Sequence, residues 1–329
     1  MNHTLDFIVI GAQKAGTTSL FEYLRRHPEL AFPPQKEAAY FSHDSEIAKP
    51  WDDYLRRNFS DSDAGLKWGT VSPSYMVGGV YSPEQRSGTA PDYDERTVPR
   101  RIRQRLPDVK LIAILRDPVA RAQSHHRMMT MTGAERRSFD EAIAELLEEG
   151  ALRRSRAMPS ETTGYVTWGE YGRILTGYSD VFPRCQMFIA SSNELEHEAE
   201  QLLARMHKFL GVSDLMPDNV GVRYREGGSA RRFQRANPDG AVEGVARNRV
   251  ARSLWHMLPD SSRDGLSRGY AAAAYRIDLW NRRSAEKGDT PSEATVKRLQ
   301  EHFARDTDHV AMLLGKSPPW HPAAPSGSV

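Results

Sequence analysis

The stretch from Phe7 to Leu24 constrains this chain more than any other. It reads Phe-Ile-Val-Ile-Gly-Ala-Gln-Lys-Ala-Gly-Thr-Thr-Ser-Leu-Phe-Glu-Tyr-Leu. Phe7 to Ile10 is a short apolar run that stops at Gly11, as suits a strand buried on both faces. Gly11 to Gly16 reads as a tight turn. From Thr17 the apolar period changes: Leu20, Phe21 and Leu24 share one helical face, and Pro28 lies just beyond. A strand, a glycine loop and a helix together make a phosphate cradle, because loop N–H groups and the positive end of the helix dipole face the same anion.

The loop approaches a Walker A sequence and departs from it at the decisive place. Walker A requires G-x-x-x-x-G-K-[ST]. Gly11 and Gly16 have that spacing, but Thr17 stands where the lysine should be, and the loop's one lysine is Lys14. Without the lysine that meets the β- and γ-phosphates, a nucleoside triphosphate fits poorly. N–H donors, two threonine hydroxyls and one cation suit a shorter anion such as a 5′-phosphosulfate, with Lys14 near the bond that breaks. A plain glycine-containing turn with a surface lysine is the bland alternative.

The 329 residues, 39% hydrophobic and 27% charged, allow a packed core and argue against bulk disorder. A net charge of +2 is too balanced to suggest a nucleic-acid partner. The basic residues cluster as Arg100, Arg101, Arg103 and Arg105, as Arg153, Arg154 and Arg156, and as Arg231, Arg232 and Arg235. Such clusters suit bidentate anion binding or, equally, solvated faces. The single cysteine, Cys185, rules out an internal disulfide and a multi-cysteine zinc site; at the head of an apolar run it reads as a buried thiol. No leader and no apolar run of membrane-spanning length are visible, so the expectation is a soluble, cytoplasmic protein without a membrane span.

Val109–Leu115 is a second buried strand and 186–190 a third. Helices are expected near 52–59, 100–105, from Val119, from a capping box at Ser138 to about Glu149, over 169–182, over 196–210, and from a capping box at Thr290 with Pro291 in the first turn to Leu314. The segments 66–76, 78–94 and 223–237 read as extended or looped, 152–163 as basic and irregular, and 245–283 as helical. Strands alternating with helices imply a mainly parallel sheet covered on both faces. One domain spans 1–329, with a helical C-terminal region about 241–316 and a flexible tail about 321–329.

In such sheets ligands sit at the carboxyl ends of strands. Arg116 follows the second strand and Ser124 lies on the next helix, a second anion pocket. Two pockets on one sheet imply a ligand with two separated charges, such as a nucleotide phosphorylated at its 5′ and 3′ ends.

Residues 11–20 (Gly-Ala-Gln-Lys-Ala-Gly-Thr-Thr-Ser-Leu) resemble the 5′-phosphosulfate loop of sulfotransferases that use 3′-phosphoadenosine 5′-phosphosulfate (PAPS). Residues 111–125 (Leu-Ile-Ala-Ile-Leu-Arg-Asp-Pro-Val-Ala-Arg-Ala-Gln-Ser-His) resemble their 3′-phosphate motif, and Lys36-Glu37-Ala38-Ala39-Tyr40-Phe41 is similar to a segment of the heparan sulfate branch. The resemblance implies an α/β, P-loop-like three-layer fold and transfer of a sulfuryl group from PAPS, without a metal. It implies that Gln13, Lys14, Ala15, Gly16, Thr17, Thr18 and Ser19 hold the 5′-phosphosulfate, and that Arg116 and Ser124 hold the 3′-phosphate. Glu37 would be the base, Lys14 would stabilise the leaving bridge oxygen, and Arg231 or Arg232 would close over the nucleotide. His43, His125 and His126 are alternative bases, each read as a polar or surface histidine. The acceptor would be a hydroxyl or amine of a carbohydrate, lipid or natural product. A P-loop kinase or NTPase, and a non-catalytic 3′-phosphoadenosine 5′-phosphate binding protein, are the competing readings.

Overall fold

The computed structural model describes residues 4–81, 94–222, 224, 229–231, 282–284 and 290–320. Its centre is β1 (Phe7–Gly11), buried along its whole length. The helix α1 (Thr17–Leu24) follows, then β2 (Leu30–Ala31), α2 (Asp44–Ile47), α3 (Trp51–Asn58), β3 (Lys67–Val71), α4 (Thr97–Arg105) and β4 (Lys110–Leu115). After β4 come α5 (Pro118–Thr132), α6 (Phe139–Leu146), α7 (Glu149–Ala157), α8 (Gly164–Thr167), α9 (Tyr171–Ser179), β5 (Met187–Ser191), α10 (Ser192–His197) and α11 (Ala199–Leu210). The short strands β6 (Ser229–Arg231) and β7 (Arg282–Ser284) precede α12 (Glu293–Leu314).

Five strands form one all-parallel sheet in the order β2-β3-β1-β4-β5. The fold is the expected α/β/α arrangement. From β1 the chain goes to the edge strand β2, returns through β3 beside β1 and then crosses to β4 on the other side of β1, so the loop after β1 stands where the strand order reverses, the place where such sheets bind ligands. Close packing fixes one neighbour of β1: a Cβ on Gly69 of β3 would fall 2.1 Å from the Phe7 ring. Only a glycine lets that ring lie flat against the next strand.

The contacts divide the chain into two compact units, 1–227 with 289–329, and 228–288. In the second, β6 pairs antiparallel with β7. In the first, α12 ends at Leu314 as expected, with Gly315 at φ +68°. Its start differs: Ser292, not Thr290, caps the helix by accepting from the Thr295 N–H. Asp306 of α12 caps α9 in turn, accepting from the N–H groups of Gly172 and Arg173 at 2.8 and 2.9 Å.

Several expectations need correction. The basic segment 152–163 is helical as far as Ala157: Leu147 ends α6, and Ala151 and Ser155 turn inward from α7 while the arginines face out. The helix over 196–210 is two helices, opened by an unread capping box between Ser191 and Glu194. The segment 66–76 is extended as expected, at β3, and Leu30–Ala31 forms a short edge strand. Cys185 sits exposed in a turn before β5 rather than buried. Of the segments 223–237 and 245–283, the described parts of the second unit, β6 and Arg282–Arg283 in β7, are strands. Apart from Tyr224, the rest of those segments, residues 82–93 of the expected long loop and the tail from 321 lie outside the described residues. Among the described residues no helix is long and apolar enough to cross a membrane.

Candidate active site

The turn after β1 is held from two sides. Ala12 donates to the Ile114 carbonyl of β4 at 2.7 Å, and Ala15 donates back to Ala12 at 3.2 Å. Lys14 adopts φ +67°, the only non-glycine residue with positive φ among those described. That conformation costs roughly 1–3 kcal/mol and persists only where the surroundings impose it. Gly16 (φ +95°) is the N-cap of α1, so no side chain caps the first turn, and no acidic residue lies there. The first N–H groups of α1 and the positive end of its dipole are therefore left to an outside anion.

Three cations converge on this turn. Lys14 belongs to it, with Nζ 3.6 Å from Met128 Sδ. Arg116, at the carboxyl end of β4, donates Nη1–H to the Lys14 carbonyl at 3.2 Å, so the second anion motif grips the first. Lys36 donates to the Thr17 hydroxyl at 3.2 Å and to Glu37 at 3.1 Å. No role was expected of Lys36 itself; the fold makes it a cation of the loop. Glu37 is the outer member of that chain, with its side chain 57% exposed against 15% for Lys36.

The remaining expected residues are spread around this centre. Thr17 is buried, Ala15 is buried, and Thr18 and Ser124 are half-buried, Ser124 on α5 beyond Asp117, whose carboxylate caps that helix. Ser19 faces the other way: its hydroxyl accepts from the Tyr224 N–H at 3.0 Å. Tyr23 donates to the Val222 carbonyl at 2.9 Å, so the chain leading to the glycine-rich segment is fastened along α1. Arg231 lies on β6 in the second unit and Arg232 outside the described residues. The other basic clusters are engaged within the protein: Arg100 with Asp94, Arg101 with Asp44, Arg153 with Glu149 and Arg156 with Glu170.

Gln13 turns to a residue that no sequence pattern singled out. Its Nε2 lies 3.0 Å from Glu161 Oε2, and His125 Nε2 lies 2.8 Å from the same oxygen. The expectation of polar or surface histidines fails for two of the three. His125 is wholly buried and stacked on Trp168 at 4.9 Å, and His126 is buried with Nε2 3.0 Å from the Arg137 carbonyl. His43 is half-buried and stacks on Tyr81 at 4.6 Å. Burial, with the carboxylates of Glu161 and Glu37 adding to it, pushes the Tyr81 phenol well above its usual range. Among the described residues no three His, Cys, Asp or Glu side chains are grouped to hold a metal ion.

Burial pushes His125 from 6.5 down to about 4, against the opposing bond to Glu161. The unfolded chain then binds the proton that the folded protein refuses, so stability is full above about pH 6.5 and is lost as the pH falls toward 4. His207 and His43 shift the same way by burial. Melting temperature should therefore fall between pH 7 and 5, above the range where ordinary carboxylates titrate. A scan that stays flat there would contradict a neutral, buried His125.

The family model of the sulfotransferase domain matches residues 4–221. The bifunctional heparan sulfate N-deacetylase/N-sulfotransferase of Drosophila melanogaster is 24% identical over 225 residues, 66% of this chain and 20% of that protein. The human heparan sulfate glucosamine 3-O-sulfotransferase 3B1 is 25% identical over 211 residues, 64% of this chain and 47% of that protein. The chain thus spans less than half the length of these two curated relatives. The crystal structure of a sulfotransferase from Alicyclobacillus acidocaldarius superposes with a TM-score of 0.61 at 21% identity, covering 96% of this chain and 98% of that one, a likeness of fold.

Proposed function

The chain belongs to the sulfotransferase-domain family, and from that premise we propose that it moves a sulfuryl group from PAPS to a hydroxyl or amine of an acceptor. The observation that carries this reading is the convergence of Lys14, Lys36 and Arg116 on the uncapped start of α1. The two lysines and the N–H groups at the start of α1 fit a phosphosulfate, which leaves Arg116 for the 3′-phosphate. A nucleoside triphosphate would call for a lysine at position 17, which is Thr17.

PAPS supplies the sulfuryl group: its bond from sulfur to the 5′-phosphate oxygen breaks as the acceptor oxygen or nitrogen bonds to sulfur. The turn from Gln13 to Thr18 holds the 5′ end through backbone N–H groups, and Arg116 with Ser124 holds the 3′-phosphate. Lys14 meets the charge that gathers on the leaving bridge oxygen, as a preorganised cation can. Glu37 takes the acceptor's proton; it stands at the exposed end of the Thr17–Lys36–Glu37 chain, where an acceptor can reach it. No step in this scheme calls for a divalent metal. The curated relatives are named for heparan sulfate, so a carbohydrate acceptor is the first class to test, before lipids and natural products.

The nucleotide assignment is tested by calorimetric titration. 3′-Phosphoadenosine 5′-phosphate should bind roughly 10- to 100-fold more tightly than adenosine 5′-phosphate, since a hydrogen bond to a charged group is worth about 1.5–3 kcal/mol. Arg116→Ala should erase the difference. Equal affinity for the two nucleotides in the unaltered protein would remove Arg116 from the site.

A further inference from the structure

One polar cluster beside the loop, buried at Arg121 and His125 and 45% exposed at the Glu161 side chain, has no task in that chemistry. Arg121 is fully buried; its Nη2 donates to the carbonyls of Gly164 and Tyr165, and its Nη1 lies 3.4 Å from His125 Nδ1. An arginine only donates, so Nδ1 is bare and the imidazole carries its proton on Nε2. That proton points at Glu161 Oε2, 2.8 Å away. Burial keeps His125 neutral at ordinary pH. Burial also raises the Glu161 carboxyl, but the bonds from His125 and Gln13 outweigh it and hold it ionised. An ionised carboxylate only accepts, so Gln13 must present its amide N–H groups, at 3.0 and 3.2 Å from the two oxygens. The line Arg121–His125–Glu161–Gln13 is thus polar in one sense throughout, with no freedom to flip at any link.

The line ends on the residue before Lys14, whose backbone is held at φ +67°. It ties the turn after β1 to the segment between α7 and α8, 148 residues away in sequence. We propose that Glu161, backed by His125 and Arg121, is a positioning residue: by fixing the Gln13 side chain it holds Lys14 in the left-handed turn that aims the loop at its anion. This rests on the reading of that turn as the phosphosulfate site. A loop freed from Glu161 can relax at Lys14, and anion binding must then restore the turn.

The test is a double-variant cycle read as affinity for 3′-phosphoadenosine 5′-phosphate by calorimetry, with melting temperature as a control. Gln13→Ala and Glu161→Ala should each weaken binding roughly tenfold, the low end of what a charge-assisted hydrogen bond is worth. The double variant should be weakened by about the same factor, because both changes break one bond. Glu161→Ala also strips Arg121 of a facing carboxylate and can cost the fold. Gln13→Met, nearly isosteric and without a donor, then carries the test by itself: the same tenfold loss, with an unchanged melting temperature. Losses that multiply in the double variant, or a Gln13→Met protein that binds as the unaltered one does, would overturn the role of Glu161. An unaltered protein that binds no 3′-phosphoadenosine 5′-phosphate would overturn the donor reading, and this role with it.

Discussion

Glu37→Gln is expected to leave nucleotide binding nearly unchanged and to slow transfer by roughly 10²–10⁴, the usual worth of a general base. In the proposed scheme the substitution keeps the shape and removes the proton acceptor, while the carboxylate lies beyond Lys36 at the exposed end of its ion pair. Lys14→Ala should differ in kind: in the proposed scheme Lys14 meets charge in the ground state and the transition state alike, so both nucleotide affinity and rate should fall. Steady-state rates and titrations on the two variants separate the roles. If Glu37→Gln works at nearly the unaltered rate, Glu37 serves only Lys36. The search for a base then narrows to His43 among the three histidines. His125 is sealed between Arg121, Glu161 and Trp168, and His126 is bonded to a backbone carbonyl.

Glu170→Ala should cost about 3 kcal/mol of stability. Glu170 is 4% exposed and joins three helices. It accepts two bonds from Arg156 of α7 at 2.9 and 2.7 Å, one from Arg173 of α9 at 2.6 Å, and it lies 2.9 Å from His302 of α12. Burial alone would raise its carboxyl, yet these partners hold it at about 2. Removing one member of a buried ion pair costs about 3–5 kcal/mol. The lower end applies because Arg156 and Arg173 keep 34% and 19% of their side-chain surface in water. At roughly 2–4 °C per kcal/mol the melting temperature should drop by about 6–12 °C. Because the folded carboxyl is depressed, its contribution is complete above pH 4.5 and vanishes toward pH 2. A Glu170→Ala protein within a degree of the unaltered one would show that the Glu170 bridge adds nothing to the docking of α12.

The parts of the fold that were legible in the sequence are those in which one element carries its own signal. β1 and β4 are unbroken apolar runs because helices cover both faces of the sheet, and α12 shows a long apolar period ended by Gly315. β3 was legible as an extended segment but not as a buried sheet strand, because Lys67, Gly69 and Thr70 interrupt its pattern; it joins the sheet beside β1, with Gly69 making room for Phe7. The exposure of Cys185 is a matter of where the turn before β5 comes to the surface, which no local pattern records.

The site divides in the same way. The turn from Gln13 to Ser19, Arg116 and the segment at Lys36 follow from motifs, and the fold brings Lys36 and Arg116 onto the turn. Glu161 had no local signal, since its partners Gln13 and His125 come from β1's loop and from α5 and meet only in the folded chain. Sequence spacing left the arginine clusters equally open to anion binding and to solvated faces. Their carboxylate partners, such as Asp44 for Arg101 and Glu170 for Arg156, are too distant in sequence to be foreseen.

Sulfuryl transfer at the Lys14 turn is tested most directly by incubating the protein with sulfur-labelled PAPS, EDTA and a panel of carbohydrate, lipid and natural-product acceptors. Label should pass to an acceptor hydroxyl or amine with release of an equal amount of 3′-phosphoadenosine 5′-phosphate, and Lys14→Ala should suppress it. Label that stays on PAPS across the panel, while the protein cleaves a nucleoside triphosphate when Mg²⁺ is restored, would contradict it.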